Sequence, residues 1–404
     1  MRAICGIDWA SEWHDVRIAD ADSGERIVQR RFAHDEAGIC ALIALLVSQR
    51  VERVAIERPD GLLVGRLIAA GLPVLAIHPN QAAAARDRFR AAAGKSDALD
   101  SFVLCEPART DSHRFAALAP SGDETVALRA LVRTREDLVA ARVGLANQLR
   151  AQLDAFWPGA TQIFADIDSQ IALAFLERYP APADTHGLGP QRLEGFLARH
   201  AYCGRRPIDE LLTRLRSAPR ASVGELEADA RRAAVLGLVA ALRPIVCQIS
   251  ELTSQLRGAV RAHPDGAIFT SPFRDPKSVL TAAGLLAEIG DNRARYPHRD
   301  ALAADAGQAP VAIESGKRRT ASFRWACDKR LRNHFAVLAD STRHQHPWAH
   351  DIYQRAIDRG CNHPHACRIL GRAWSRVLWR CWQDHTPYDP TQHRAATRHL
   401  QPGG

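Results

Sequence analysis

The first 110 residues alternate short apolar runs with amphipathic stretches in an order that few folds accommodate. Residues 3–9 read as a strand, and 13–20 alternate apolar with polar side chains. Asp22-Ser23-Gly24 supplies turn chemistry before a return strand over 25–33. A helix is expected over 36–49, a strand over 52–57, a helix over 61–70 and a short strand over 73–77. Pro79-Asn80 restarts helix through Ala91, and 95–109 reads as one more helix. Three antiparallel strands followed by α/β units predict a mixed sheet covered by helices.

Acidic residues fall at the ends of these elements. Asp8 closes the apolar run Ile4-Cys5-Gly6-Ile7, and Glu57 closes Val54-Ala55-Ile56. In Lys95-Ser96-Asp97-Ala98-Leu99-Asp100, a three-residue step puts Asp97 and Asp100 on one helix face. A single strand-end acid is usually a cap or an ion-pair partner. Two strand-end acids and a helical pair can gather four carboxylates at one point. Such a cluster is costly unless the carboxyls take up protons or cations fill the gap. Divalent ions with oxygen ligands are the natural answer, and two of them can clamp a phosphoryl displacement.

Beyond the sheet region the pattern is helical. Residues 123–157 are continuously helical in pattern, with Leu128, Leu131, Leu138, Val143, Leu145, Leu149 and Leu153 at three- and four-residue steps. A second long helix spans about 224–262, and pairs of this length often form coiled-coil-like hairpins. Between them, Pro-Gly turns surround short helices near 190–201 and 208–216. Helices are expected over 277–289, ending at Gly290, and over 297–306, ending at Gly307. Further helices cover about 324–340, 347–359 and 364–384, whereas 308–320 reads as loop. The expected organisation is a catalytic α/β domain over 1–110, a helical linker region over 111–263, and a mainly helical domain over 264–390. The tail 391–404 is expected to be disordered.

The net charge of +9 is unevenly spread. Residues 1–110 hold 14 basic against 15 acidic side chains, 111–263 hold 19 against 17, and 264–404 hold 21 against 13. The excess in the last third is where a polyanion should bind. With 46% hydrophobic and 25% charged residues the composition is that of an ordinary globular chain. No run is read as the roughly 18 uncharged apolar residues a membrane span requires, so the expectation is a cytoplasmic protein with no membrane partner. Nine dispersed cysteines without a C-x-x-C pair read as reduced thiols.

Three further features need weighing. Ser315 stands between Glu314 and Gly316-Lys317-Arg318-Arg319, and residues 317–332 hold seven Lys or Arg against Asp328 alone. A serine hydroxyl is a weak nucleophile until a base, a metal or nearby cations assist it. By itself a Ser-Gly-Lys segment more often grips phosphate, and no glycine completes a Walker loop. Cys361-Asn362-His363-Pro364-His365-Ala366-Cys367 has the residue types of a zinc cluster. Its spacing matches no standard finger, so a loop entering a helix is the better reading. Trp374, Trp379 and Trp382 beside Arg372, Arg376 and Arg380 read as core packing with a basic outer face rather than as base-stacking groups.

Taken in order, several segments resemble the DEDD-type insertion-sequence transposases of the IS-one-ten family. They are Gly6-Ile7-Asp8, Ile56-Glu57, Lys95 to Asp100, Leu285-Leu286-Ala287-Glu288-Ile289-Gly290-Asp291, Leu302 to Pro310, Glu314-Ser315-Gly316-Lys317 and Asp328-Lys329-Arg330-Leu331-Arg332. The resemblance covers most of the chain. It implies an α/β N-terminal domain of the RNase H/RuvC-like type, a long helical insertion, and a helical C-terminal transposase domain. Asp8, Glu57, Asp97 and Asp100 are implied as ligands of Mg²⁺, two ions with Mn²⁺ as a substitute, and Ser315 as the nucleophile. The implied partners are double-stranded DNA, a structured guide RNA of the bridge type, and further copies of the chain. In such a dimer or tetramer, one subunit's acids pair with another's serine.

Lys95, Arg274, Lys277, Lys317, Arg318, Arg319, Arg324, Lys329, Arg330 and Arg332 are candidate nucleic-acid contacts. One departure stands out. Many relatives carry a glycine-rich hairpin before the helix matching 277–289, but here Thr270-Ser271-Pro272-Phe273-Arg274-Asp275-Pro276-Lys277 holds no glycine. Arg274 and Lys277 are candidate replacements for that backbone grip. Two other functions fit parts of the pattern: a RuvC-like junction nuclease that uses water, and a non-catalytic nucleic-acid-binding relic.

Overall fold

The computed structural model describes residues 2–57, 60–89, 97–219, 221–275, 278–315 and 318–392. The chain forms two compact units, one from residues 1–123 with 289–404 and one from 124–288.

The first unit opens with strands β1 (Ala3–Trp9), β2 (Trp13–Asp20) and β3 (Arg26–Ala33), then helix α1 (Glu36–Ser48) and strand β4 (Val51–Ile56). Helix α2 (Leu62–Ala69), strand β5 (Val74–Ala76) and helices α3 (Pro79–Arg88) and α4 (Asp97–Thr110) follow. The strands lie in the order β3-β2-β1-β4-β5. The first three are antiparallel neighbours, and β4 and β5 add parallel to β1.

Alternation along β1 divides its side chains between two layers. Ala3, Cys5 and Ile7 join Ile39, Leu42, Leu46, Val54, Ile56 and Leu67 in the core under α1 and α2. Ile4 packs with Cys105 of α4 on the opposite face. On β4, Val54 and Ile56 serve the first core, while Ala55 packs with Leu104 and Ala108 of α4. Asp35 caps α1, its carboxylate accepting from the Gly38 amide at 2.7 Å.

The second unit is built on α5 (Asp123–Phe156) and, after α6 (Gly159–Ile163), α7 (Gln170–Arg178), α8 (Pro190–Arg199) and α9 (Ile208–Ser217), on α10 (Glu225–Ala262). The two long helices run antiparallel. Thr125 pairs with His263 at 2.9 Å, Arg135 with Thr253 at 2.7 Å and Gln152 with Arg231 at 3.3 Å. By length and composition α10 is long and apolar enough to cross a membrane, with a mean hydropathy of 1.8 over its richest stretch, contrary to the reading of the sequence. Val235, Val239, Leu242, Ile249, Leu256 and Val260 are buried, and Arg243 pairs with Glu177 at 2.9 Å. The apolar residues therefore include a stripe packed within the unit. Helices α11 (Gly266–Thr270) and α12 (Val279–Ile289) close it.

The rest of the first unit comprises α13 (Arg299–Asp305), β6 (Val311–Ser315), β7 (Arg318–Ser322), α14 (Lys329–Thr342), α15 (Pro347–Asp358) and α16 (His363–Gln383). Gly290 and Gly307 take φ of 81° and 64° after α12 and α13, the left-handed geometry expected of helix-terminating glycines. Trp374 and Trp382 are fully buried, and Trp374 packs at a tilt against Trp348 and edge-on against Tyr388. Trp379 donates to the Tyr296 carbonyl at 2.8 Å. The tryptophans thus build core.

The segment 308–320, read as loop, holds an antiparallel hairpin instead, with Val311 opposite Ser322 and Ser315 opposite Arg318. Every residue of β6 is exposed, so no buried face imprinted an apolar alternation on the sequence. Helix α14 begins at Lys329 rather than near 324. The Asp328 carboxylate there accepts from the Arg330 and Leu331 amides.

Candidate active site

Gly6 decides how the sheet and α4 meet. A Cβ at this position would lie 2.3 Å from the Ser101 carbonyl oxygen and 2.6 Å from the Cys105 nitrogen. Only glycine lets the helix backbone come this close. Ile4 meets Cys105 and Gly6 meets Ser101, so α4 runs against β1 and brings its first turn towards the strand end at Asp8. Asp8 shares its side of β1 with Ile4 and Gly6 by alternation, which is the α4 side. Ile7 is paired with Ile56, so Glu57 is the residue beside Asp8, on the same side as Ala55. Asp97 opens α4, and Asp100 lies one turn along it. Two adjacent strand ends and one helix start therefore set Asp8, Glu57 and Asp100 towards one end of the sheet, although among the described residues their donor atoms do not close to within 4.8 Å of one another.

Asp100 is buried, and its Oδ1 accepts from Arg86 Nε at 2.9 Å. In β2, Asp15 stands opposite Asp8 and pairs with Arg31 at 3.0 Å. Arg17 stands opposite Gly6, with its guanidinium 4.9 Å from the Phe102 ring centre. Gln29 donates to Ser101 Oγ at 3.0 Å, so all of the first three strands hold α4 or its acids in place. Behind this edge, Cys5 and Cys105 are core thiols. Burial pushes both up, Cys105 to about 12, and keeps them protonated.

Ser315 ends β6 on an exposed hairpin. It shares a strand face with Val311 and Ile313, both of which are also exposed. Below the hairpin, the guanidinium groups of Arg332 and Arg368 lie 5.2 and 5.0 Å from the Phe323 ring centre. Trp325 packs edge-on to the same ring and is 74% exposed.

This arrangement has relatives. A transposase family model of the DEDD and IS110 type matches residues 5–158, which span all four acids. A second, for transposases of the IS116/IS110/IS902 family, matches 278–354, which span Ser315. The mini-circle protein of Streptomyces coelicolor named as a transposase for IS117 is 33% identical over 402 residues, covering 96% of each chain. The chain belongs to the IS110 family of transposases. It is accordingly a DNA transposase, of the family that the sequence motifs resemble. Insertion element IS116 of Streptomyces clavuligerus encodes a 44.8 kDa relative, 28% identical over 96% of each chain. The 43.6 kDa protein of insertion element IS110 itself, from Streptomyces coelicolor, is 28% identical over 73% of this chain and 72% of its own.

Other candidate contacts of this IS110 transposase are scattered. Arg274 is exposed in the second unit, beside Arg257 and Arg261 along a groove closed by Thr270 and Phe273. Lys95, Lys277 and Lys317 lie outside the described residues, as does the tail from 393. Arg318 and Arg319 lie on β7, paired with Ser315 and Glu314. Arg324 Nε donates to the Ala309 carbonyl at 3.1 Å and so anchors the hairpin base. Lys329, Arg330 and Arg332 occupy the first turn of α14. Sequence reading missed Arg86, Arg17, Gln29 and Arg31. None of them belongs to a motif: Arg17 and Gln29 are recruited by the packing of α4 on the sheet, Arg86 by the packing of α3 on α4, and Arg31 by its register opposite Asp15.

Proposed function

We propose that this transposase cuts and rejoins DNA through a covalent ester between Ser315 and a DNA phosphate, with Asp8, Glu57, Asp97 and Asp100 as ligands of Mg²⁺. On this reading residues 1–110 are an RNase H/RuvC-like catalytic domain, 111–263 a helical linker and 264–390 the transposase domain that carries the serine. The observation that supports it is the close approach at Gly6, which packs α4 against β1 with its first turn towards the strand ends at Asp8 and Glu57. The donor set is all carboxylate oxygen, the chemistry that Mg²⁺ or Mn²⁺ takes. The Arg86 guanidinium on buried Asp100 marks a place where positive charge is needed. When bound there, Mg²⁺ would polarise the scissile phosphate and offset the charge that develops on it.

In the chemical step, Ser315 Oγ attacks phosphorus and forms a new P–O bond as the bond to a DNA oxygen breaks. The serine proton leaves with that oxygen. One phosphoester replaces another, so the reverse attack by a second DNA end rejoins the strand without an outside energy source. Lys317, Arg318 and Arg319 are positioned in sequence to offset phosphorane charge. Lys95, Arg274, Lys277, Arg324, Lys329, Arg330 and Arg332 would hold DNA or RNA backbone. Ser315 lies on an element separate from the acids, which supports active sites assembled between subunits of a dimer or tetramer. A structured non-coding RNA would select the DNA by base pairing while the protein reads backbone shape. Such a protein works at the nucleoid.

The test uses the full chain with its guide RNA, element-end DNA and Mg²⁺. Parent protein should form denaturation-resistant protein–DNA adducts, Ser315→Ala should form none, and Asp8→Asn should cut no DNA. Adducts in the Ser315→Ala protein would overturn the serine assignment. Hydrolysed ends without any adduct in the parent would make the enzyme a water-using nuclease.

A further inference from the structure

The helix pair α14 and α16 brings together three side chains that the transposition chemistry does not use. His363 and Cys367 stand one turn apart on α16, and Asp340 faces them from α14. His363 Nε2 lies 3.6 Å from Asp340 Oδ1. Cys367 Sγ lies 3.7 Å from Nδ1 and 3.8 Å from Nε2 of the same ring. One donor atom from each residue falls within 4.8 Å of the others. In a tetrahedral zinc site, bonds of roughly 2.0–2.3 Å place neighbouring donors roughly 3.4–3.6 Å apart. The gaps from His363 Nε2 to Asp340 Oδ1 and Cys367 Sγ differ from that by tenths of an ångström, and the Asp340 and Cys367 donors lie within 4.8 Å of each other.

The surroundings orient the set. Tyr353 Oη lies 2.9 Å from His363 Nδ1. With Nδ1–H donated to the phenol, the Nε2 lone pair is left for a ligand, as in metal sites whose histidines are fixed through their other nitrogen. Arg343 Nε donates to Asp340 Oδ1 at 2.8 Å, and its guanidinium lies 4.8 Å from the Tyr353 ring centre. The carboxylate is thus held in place and keeps further lone pairs. The positive charge of Arg343 lowers affinity but does not occupy the imidazole or the thiol.

We propose that Asp340, His363 and Cys367 form a surface site for a divalent cation of the zinc class, with solvent in the fourth position. An imidazole and a thiolate select zinc over magnesium, whereas the all-oxygen set at the N-terminal sheet selects the reverse. Binding releases the Cys367 thiol proton and clips the start of α16 to α14. Only His363 and Cys367 belong to the Cys361–Cys367 motif; Asp340 comes from another helix.

The full chain, stripped with a chelator and titrated with cobalt(II), tests the site. The expected result is a thiolate-to-cobalt charge-transfer band that saturates at one equivalent and is displaced by zinc. Cys367→Ser should abolish the band and Cys361→Ser should retain it. Tyr353→Phe should weaken cobalt affinity about tenfold, as loss of a partner that orients a ligand does. Exposed Asp340→Asn, which leaves the helices packed, should weaken it at least as much. No band in the parent, a band that survives Cys367→Ser, or one lost in Cys361→Ser would each overturn the proposal.

Discussion

Arg86 Nε lies 2.9 Å from Asp100 Oδ1, and Asp100 is only 5% exposed. A carboxylate this deep needs a positive partner, and among the described residues Arg86 supplies it. A bound divalent cation at the same edge would share that task. Arg86→Ala should therefore lower stability by about 2 kcal/mol in excess EDTA, a value below that for a fully buried pair because Arg86 is partly exposed. Saturating Mg²⁺ should narrow the gap to the parent. Denaturant melts of both proteins with and without Mg²⁺ measure this. An equal gap in both conditions would separate Arg86 from the metal site.

Gly6→Ala puts a methyl group 2.3 Å from a backbone oxygen of α4, which cannot rotate away. The expected cost is about 3 kcal/mol, together with loss of DNA cleavage as the start of α4 moves off the strand ends. Gly65 in α2 is the control. It has open space where a Cβ would be, so Gly65→Ala should be neutral or stabilise by up to about 1 kcal/mol. Chemical denaturation of both variants decides, and a Gly6→Ala protein as stable as the parent would remove the close approach from the argument.

The strand positions of Asp8 and Glu57 were legible because each ends a buried apolar run, and burial imprints pattern on sequence. Gly6 could be noticed but not explained, since the reason for it is the backbone of a helix about a hundred residues on. Arg86, Gln29 and Asp340 were illegible for a related reason. Each finds its partner through tertiary packing and leaves no local signature. The β6–β7 hairpin was missed because every residue of β6 is exposed, so Val311 and Ile313 look like apolar residues in a loop. The apolar content of α10 was underestimated because Arg243 interrupts it, although that arginine is paired to Glu177 rather than left bare.

His14 gives the protein an acid-sensitive element. It is fully buried in β2, and its Nε2 lies 2.8 Å from His34 Nδ1. Burial first, and then the neighbouring His34, lowers its pKa from 6.5 to about 4. The native chain keeps His14 neutral down to about pH 4, whereas the unfolded chain protonates it below about 6.5. The unfolded state thus binds more protons across that window, and stability falls as pH falls from 6.5 towards 4. The expected loss is on the order of 3 kcal/mol. His14→Asn should flatten this part of the stability profile whatever its absolute stability, and an unchanged slope would assign the acid sensitivity elsewhere.

Glu288 belongs to the segment Leu285–Asp291, which drew attention as a family motif, but its role is structural. It is 2% exposed and receives two hydrogen bonds from Arg133, at 3.0 and 2.9 Å, which tie α12 to α5 within the second unit. Arg129 adds a bond to the Ala287 carbonyl at 2.7 Å. Removing the arginine leaves a buried carboxylate without its main partner, which is worse than removing both charges. Arg133→Met should cost about 3 kcal/mol, reduced somewhat by the partial exposure of Arg133. Glu288→Gln should cost less, because an amide oxygen still accepts from the guanidinium. The double variant Arg133→Met/Glu288→Met should recover part of the loss, giving a coupling of about 1–2 kcal/mol in a double-mutant cycle. Strictly additive losses would show that the two helices are held by the surrounding apolar contacts and not by this pair.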